Sequence, residues 1–511
     1  MTPAGATPPG EGTRPRTSTS FGGALKWSAV MNVGRQATTL AVTFVLARQL
    51  GPTTFGAVAL GTVYIALIQM LLQQGMVAAL IHRDRLDDDH VDTAFWMVLA
   101  TSVALTAASV GLASWWAGVN DSPVLRTVVL GLTPLVVMRG LAVVPDALLR
   151  RDLAFRTLAV RTNSSVLVGG VVGIGGAFAG WGFWALVAQQ LTTAGIELVV
   201  LWGGCEWRPR LRFSRRSLRE LAAFSVPSTA ASLGVFAEGR ADAVIVGLYF
   251  GPAAVGLYRL AARLVNMAVQ SIVGTFRAIS LPELARHQRD RDALRDRLLS
   301  IVRLSAGSAI VPLASLAAAA PSLMDVLGPE WRPAAGALAV LAVAGAARTV
   351  GDLGGPLLQA VGRPRVLAGL AWTRAALTSL TLVAAGALGR GLDDDRQLIL
   401  LAVATAALHA GPYLALNTWV LRTHGGVPPA RIAGVLGVVT VVGVSTYAAG
   451  TIADHVLAPA PAPLRLVLVA GAAATTGACF VGALDAPMRR SVAAALPIGR
   501  LRRRWAPSPS A

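Results

Sequence analysis

Lysine is almost missing from this chain: Lys26 is the only one among 45 basic residues. Charge of any kind is scarce, at 14% of 511 residues, where a soluble protein carries roughly 25%. That shortage, with 54% apolar residues and a mean hydropathy of +0.60, excludes an ordinary soluble globule. Cysteine is limited to Cys205 and Cys479, too few for a disulfide framework, and both read as packing residues. No Walker A sequence is present, which argues against an intrinsic ATPase. The six histidines (82, 90, 287, 409, 424 and 455) are dispersed, with no His-Glu-x-x-His or Cys/His metal spacing. No metal or cofactor is therefore expected.

What the chain has in abundance is apolar runs of roughly 20 residues, the length that crosses a bilayer's hydrocarbon core. About 14 are legible: 24–49, 57–81, 93–118, 127–148, 158–178, 182–203, 222–249, 256–280, 302–327, 335–360, 366–389, 398–421, 431–453 and 464–484. The fold class this implies is an all-α polytopic membrane protein. The first run is of span length without a cleavage site, so it reads as a helix and not as a signal peptide. Met1–Ser20, rich in Pro, Thr, Gly and Ser, reads as a disordered tail.

Gly51-Pro52-x-x-Phe55-Gly56 recurs 200 positions later as Gly251-Pro252-x-x-Val255-Gly256. Each copy joins two apolar runs, and each second run ends in charge: His82-Arg83-Asp84-Arg85 in one case, Arg286-His287-Gln288-Arg289 in the other. Motif, flanks and exit together indicate a duplicated membrane hairpin, and internal repeats commonly build transporters around a central path.

Arginine placement orients the spans. Alternate loops carry Arg150, Arg151, Arg156 and Arg161, then Arg208 to Arg219, then Arg286 to Arg297, while the C-terminal tail adds Arg489 to Arg504. Opposite loops hold only scattered cases such as Arg126, Arg332 and Arg390. Basic loops stay cytoplasmic, so both termini are expected inside and both Gly-Pro turns outside. The net charge of +19 then belongs beside anionic membrane lipids, where each basic residue gains about 1 kcal/mol, and not on nucleic acid.

Ionisable groups inside spans are the informative residues, because a charge at a helix centre costs about 2.5–3.5 kcal/mol unless it meets a partner or water. Arginines 35, 139, 240, 259, 263, 348 and 374 outnumber the carboxylates Asp146, Glu197, Glu238, Asp242 and Asp352. Arg259, Arg263, Asn266 and Gln270 follow one another at spacings of four, three and four, one polar stripe of a helix. Simple pairing is the bland alternative for each: Glu238 or Asp242 with Arg240 or the next span, Asp352 with Arg348, and snorkelling for Arg259 and Arg374. The excess of guanidinium favours a cavity for anions, since Arg donates two parallel hydrogen bonds and stays charged. Gly169 to Gly176, superficially a dinucleotide loop, lies inside a span and reads as close helix packing. Asp87-Asp88-Asp89 and Asp393-Asp394-Asp395 read as solvated loops.

Several segments together resemble a polysaccharide exporter, a Wzx-type oligosaccharide flippase of the multidrug/oligosaccharidyl-lipid/polysaccharide superfamily. They are Ala47-Arg48-Gln49-Leu50-Gly51-Pro52-Thr53-Thr54-Phe55-Gly56, Leu148-Leu149-Arg150-Arg151-Asp152-Leu153-Ala154-Phe155, the passage from Asp242 to Tyr258, and Leu327-Gly328-Pro329-Glu330-Trp331. The resemblance covers about residues 22–485 and implies two pseudo-symmetric six-helix bundles plus two C-terminal helices. The chain would divide into a cytoplasmic tail (1–21), bundles at 22–203 and 222–421 joined by a basic linker (204–221), two further helices (431–484) and a basic tail (485–511).

It also implies alternating access for a polyprenyl-diphosphate-linked oligosaccharide across the cytoplasmic membrane, in lipopolysaccharide or exopolysaccharide export, with other polysaccharide-assembly membrane proteins as possible partners and no catalytic residue. On that reading Arg35, Arg139, Arg240, Arg259, Arg263, Asn266, Arg348 and Arg374 form the candidate cavity. Glu238 and Asp242 are the candidates for coupling to H+ or Na+, while Arg48 and Pro52 shape the hairpin. A drug antiporter of the same superfamily is the same-fold alternative, disfavoured by an arginine-rich cavity that repels organic cations. A membrane polymerase or ligase would need a long outer loop, and a degenerate scaffold would tolerate loss of its intramembrane charges.

Overall fold

A computed structural model describes residues 21–82, 87–152, 154–288, 290–351 and 353–484. The tails, Arg83 to Leu86, Arg289 and Asp352 lie outside the described residues, and with them the expected pairing of Asp352 with Arg348. Every regular element among the described residues is helical. The N-terminal half comprises α1 (Phe21–His82), α2 (Asp88–Val119), α3 (Pro123–Leu132), α4 (Pro134–Arg151), α5 (Phe155–Phe178) and α6 (Phe183–Gly204). The second half comprises α7 (Arg215–Arg286), α8 (Arg291–Ala318), α9 (Ala320–Leu327), α10 (Ala334–Gly351), α11 (Gly354–Ala360), α12 (Pro364–Leu388), α13 (Asp394–Leu408) and α14 (Leu414–Gly425). Two more, α15 (Pro429–Val456) and α16 (Ala462–Leu484), pack on α8 and α9.

Twelve stretches among the described residues are long and apolar enough to cross a membrane. The chain is a multi-pass membrane protein. The count differs from the 14 runs in the sequence because α1 and α7 each join two runs. Both break at one glycine: Gly51 has φ 71°, ψ 169° and Gly251 has φ 77°, ψ −178°. This left-handed φ is costly for any residue with a Cβ. Pro52 and Pro252 follow, where a new helix begins and the missing N–H goes unnoticed. The break in α7 is a reversal: Asp242 and Arg259 lie 17 residues apart, about 25 Å along a straight helix, yet their side chains meet at 3.0 Å. The matching dihedrals give α1 the same turn.

The two turns press together. A Cβ on Gly56 would overlap the Pro252 carbonyl and come within 2.8 Å of the Gly256 nitrogen. A Cβ on Gly256 would overlap the Pro52 carbonyl and come within 3.1 Å of the Gly56 nitrogen. Such reciprocity is what a pseudo-two-fold axis between duplicated hairpins requires. Trp331, 1% exposed, closes the same end: its indole N–H donates to the Ala47 carbonyl (3.0 Å), and its ring meets Phe55 edge-on at 5.9 Å. Arg48 donates to the Val326 carbonyl at 3.0 Å, so it ties the hairpin to the second half.

Elsewhere the small residues of α5 act as packing surfaces. Gly169 and Gly173 lie against Thr193 and Gln189 of α6, and Gly170 against Val42 of α1. The linker after α6 is strapped to the start of α2. Trp96 donates to the Arg210 carbonyl at 2.8 Å, Arg210 reaches Asp88 at 3.5 Å, and Arg212 reaches Asp89 at 3.6 Å. Asp88 and Asp89 are exposed, as expected of a solvated charge run, and also reach these arginines. Arg465 anchors α16 by donating to Ser322 and Asp454 and pairing with Asp325 at 3.2 Å. Cys205 is buried as expected; Cys479 is exposed on the outer face of α16 and does not pack inside.

Candidate functional site

Between the halves lies a cavity of about 700 Å³, walled by α1, α4, α5, α6 and α7. Both arms of α1 line it. Arg35 and Gln69 would stand about 50 Å apart on a straight helix, so their common wall confirms the reversal at Gly51. Six of the eight candidate residues reach this wall: Arg35, Arg139, Arg240, Arg259, Arg263 and Asn266. The whole stripe Arg259, Arg263, Asn266 and Gln270 faces it, as the helical spacing predicted. No carboxylate lines the cavity among the described residues.

The arginines differ in how they are neutralised. Asp242 accepts two hydrogen bonds from Arg259, at 3.0 and 3.2 Å, and one from the Ala243 amide. Arg259 therefore does not snorkel; it is held by a carboxylate set behind the wall. Arg139 pairs with Glu197 of α6, which removes much of the anion-binding capacity expected of it. Arg35, Arg240 and Arg263 have no ion pair or hydrogen bond among the described residues. Arg35 and Arg263 are exposed residues of the lining, and Arg240 is half-buried. Three guanidinium groups therefore face a cavity that no carboxylate lines among the described residues, which gives its interior a positive potential.

Two candidates lie elsewhere. Arg348 stands one layer behind, donating to the Asn266 side-chain oxygen Oδ1 at 3.0 Å. Arg374 reaches neither the cavity nor a membrane face. It donates to Asn417 and lies 5.4 Å from the Tyr413 ring, whose hydroxyl donates back to the Arg374 carbonyl at 2.8 Å. Tyr413 ends a wider helical turn, His409–Tyr413, that contains Pro412. Of the two coupling candidates, Asp242 touches the site through Arg259, whereas Glu238 is half-buried off the cavity, within electrostatic reach of Tyr413.

Charge-led reading of the sequence overlooked the uncharged polar wall. Gln36, Thr39, Thr43, Thr62, Gln69, Gln189, Gln190 and Thr193 all line the cavity from the first half. The available signal was Gln189, Gln190 and Thr193 together in the middle of one apolar run, more amide than a lipid-facing helix tolerates.

The Arg139–Glu197 pair makes a separable prediction. Arg139→Gln orphans a carboxylate, which costs about 3–5 kcal/mol when fully buried and about 2–3 kcal/mol here, because 13% of the Glu197 side chain stays exposed. Thermal unfolding of the purified protein should fall in the single variant and recover in Arg139→Gln/Glu197→Gln. No recovery would mean that the ion pair is not what Arg139 contributes.

Comparison with known proteins places this geometry in context. The family described as polysaccharide biosynthesis protein matches residues 45–336, more than half of the 511. The succinoglycan biosynthesis transport protein ExoT of Rhizobium meliloti (strain 1021) is 26% identical over 373 residues, 72% of this chain and 74% of that one. The lipopolysaccharide biosynthesis protein WzxC of Escherichia coli (strain K12) is 25% identical over 354 residues, 66% of this chain and 69% of that one. Among solved structures, the lipid II flippase MurJ in an inward closed conformation superposes with a TM-score of 0.67. The match covers 90% of this chain and 99% of MurJ at 10% identity, so it speaks for the fold alone.

Proposed function

Because this chain belongs to the polysaccharide biosynthesis protein family, we propose that it carries a lipid-linked oligosaccharide across the cytoplasmic membrane by alternating access. The observation that carries the reading is the cavity between the halves, lined by Arg240, Arg259 and Arg263 and, among the described residues, by no carboxylate. A polyprenyl diphosphate supplies the missing anion, its sugars occupy the hydrated space, and its tail stays in the bilayer. Relatives named for succinoglycan transport and lipopolysaccharide biosynthesis support the same substrate class. A transporter of organic cations is disfavoured, since these arginines repel its cargo.

On this reading the chain divides as its sequence suggests, into bundles at 22–203 and 222–421, a linker at 204–221 and two further helices at 431–484. Counting the arms of α1 and α7 separately gives 14 crossings. The basic loops place both termini in the cytoplasm, so the pressed Gly-Pro turns form the outer seal. Loops at that end are short (120–122, 179–182, 389–393 and 457–461) and leave no room for a catalytic domain. The reading is therefore a transporter, not an enzyme. Coupling to H+ or Na+ fits Asp242, supported by Glu238 two strides along the chain: a cation taken up by Asp242 releases Arg259 to the diphosphate, and a bound diphosphate releases Asp242.

The test follows the sidedness of the lipid-linked precursor in cells lacking the native copy. The precursor should accumulate in the inner leaflet, and expression of the chain should restore outward transfer and surface polysaccharide. Normal outer-leaflet precursor without the chain would overturn the reading.

A further inference from the structure

The two faces of the cavity differ in chemistry. The second half contributes Arg240, Arg259 and Arg263, whereas the polar lining of the first half is mostly amides and hydroxyls, beside Arg35 and the paired Arg139. Among the latter, the side-chain amides of Gln69, Gln189 and Gln190 form no hydrogen bond with any described residue, although the Gln189 backbone carbonyl accepts one from Thr193 at 2.8 Å. A glutamine amide holds an acceptor and two donors side by side, a match for neighbouring hydroxyl groups. An apolar cargo would use neither, and a purely anionic one only the donors. Amides left unpartnered inside a membrane protein are costly unless water or a ligand meets them. Gln36 differs, for its amide donates to the Met267 carbonyl of the facing half at 3.3 Å.

The geometry also sets these amides opposite the arginines in height. Gln189 and Gln190 lie six to seven residues into α6, about 10 Å from the end where the Gly-Pro turns close. Arg240 and Arg259 lie 11 and eight residues from Gly251, about 12–17 Å from that end. A diphosphate held on α7 would thus present its first sugars to α6, while Gln69, 18 residues beyond Gly51 and about 27 Å from that end, would meet sugars further along.

We propose that Gln69, Gln189 and Gln190 form a carbohydrate-binding face, with Gln189 and Gln190 engaging hydroxyls of the sugars next to the diphosphate and Gln69 those further along, so that the first half selects the glycan and the second half holds the phosphates. The inference rests on the proposed lipid-linked substrate. A site built to bond hydroxyls discriminates strongly against cargo that lacks them, because its own polar groups are then stranded.

The experiment uses the full chain in nanodiscs with two probes: a short polyprenyl diphosphate, and the same lipid bearing a neutral hexose disaccharide. Gln69→Met, Gln189→Met and Gln190→Met keep unbranched length while removing the amide. This matters because Gln189 also packs on Gly173. The native chain should bind the glycosylated lipid about tenfold more tightly than the bare one. The triple variant should reduce that preference to under about threefold with bare-lipid affinity retained. A triple variant with the full preference, or one that loses both ligands equally, overturns the carbohydrate face. A native chain that binds the bare lipid with no preference for the sugar overturns it too, while leaving the diphosphate reading standing. Binding of neither probe by the native chain overturns both.

Discussion

Arg240→Gln/Arg263→Gln is expected to abolish surface-polysaccharide export and to weaken binding of a polyprenyl diphosphate by more than about 100-fold. Hydrogen bonds to charged groups contribute about 1.5–3 kcal/mol each, and 1.4 kcal/mol is tenfold in affinity. Each single substitution should therefore cost about 10- to 100-fold. These two arginines are chosen because neither is engaged by a carboxylate among the described residues, so their removal orphans no buried partner. Arg259→Gln is a less clean experiment, for it strands Asp242, which would then compete with the phosphates by repulsion. Arg259→Gln/Asp242→Asn should recover folding but not transport. Direct binding by the purified protein, alongside export at matched membrane expression, checks all five variants. Wild-type affinity in Arg240→Gln/Arg263→Gln would remove the arginine wall from the substrate site and leave the fold untouched.

The parts of this molecule legible in the sequence are those set by local period. Apolar runs gave the spans, a glycine that must take a left-handed φ gave both hairpins, and spacings of four, three and four brought Arg259, Arg263, Asn266 and Gln270 onto one wall. Pairings across tertiary distance were not legible. Arg139 meets Glu197 across 58 residues and Trp331 meets Ala47 across 284, and no periodicity encodes either. Charge was weighted over polarity, so Arg374 was assigned to a cavity it does not reach and Gln189 and Gln190 were passed over. Internal symmetry between the two hairpins is also only approximate. Ala59 faces the cavity as Arg259 does, but Val63 is buried at 3% exposure where Arg263 faces in. The first half instead presents Thr62 and Ala66, so its second arm is turned relative to the equivalent arm of α7.

The second large effect is expected at the seal. Gly56→Ala and Gly256→Ala each place a methyl group into a facing proline carbonyl, and backbone cannot swing aside as a side chain can. Overpacking of this kind costs about 1–3 kcal/mol and sometimes more, so about 10- to 100-fold of the closed population is lost per site. Transporters that alternate need both closures, and packed interfaces switch between arrangements instead of deforming gradually. Export should therefore fail even though no substrate contact has changed. Phe55, buried at 9% exposure against Trp331, reports the seal directly. In a Cys205→Ala/Cys479→Ala background, Phe55→Cys should react slowly with an impermeant maleimide added outside, and much faster once Gly256→Ala is introduced. Gly118→Ala controls for helix substitution as such, because a Cβ there meets nothing within 4 Å. Unchanged labelling with unchanged export in Gly256→Ala would mean that the reciprocal glycine contact is incidental to the cycle. Fast labelling with export intact would show that the halves can close elsewhere, moving the outer gate from the duplicated turns toward the Trp331 latch.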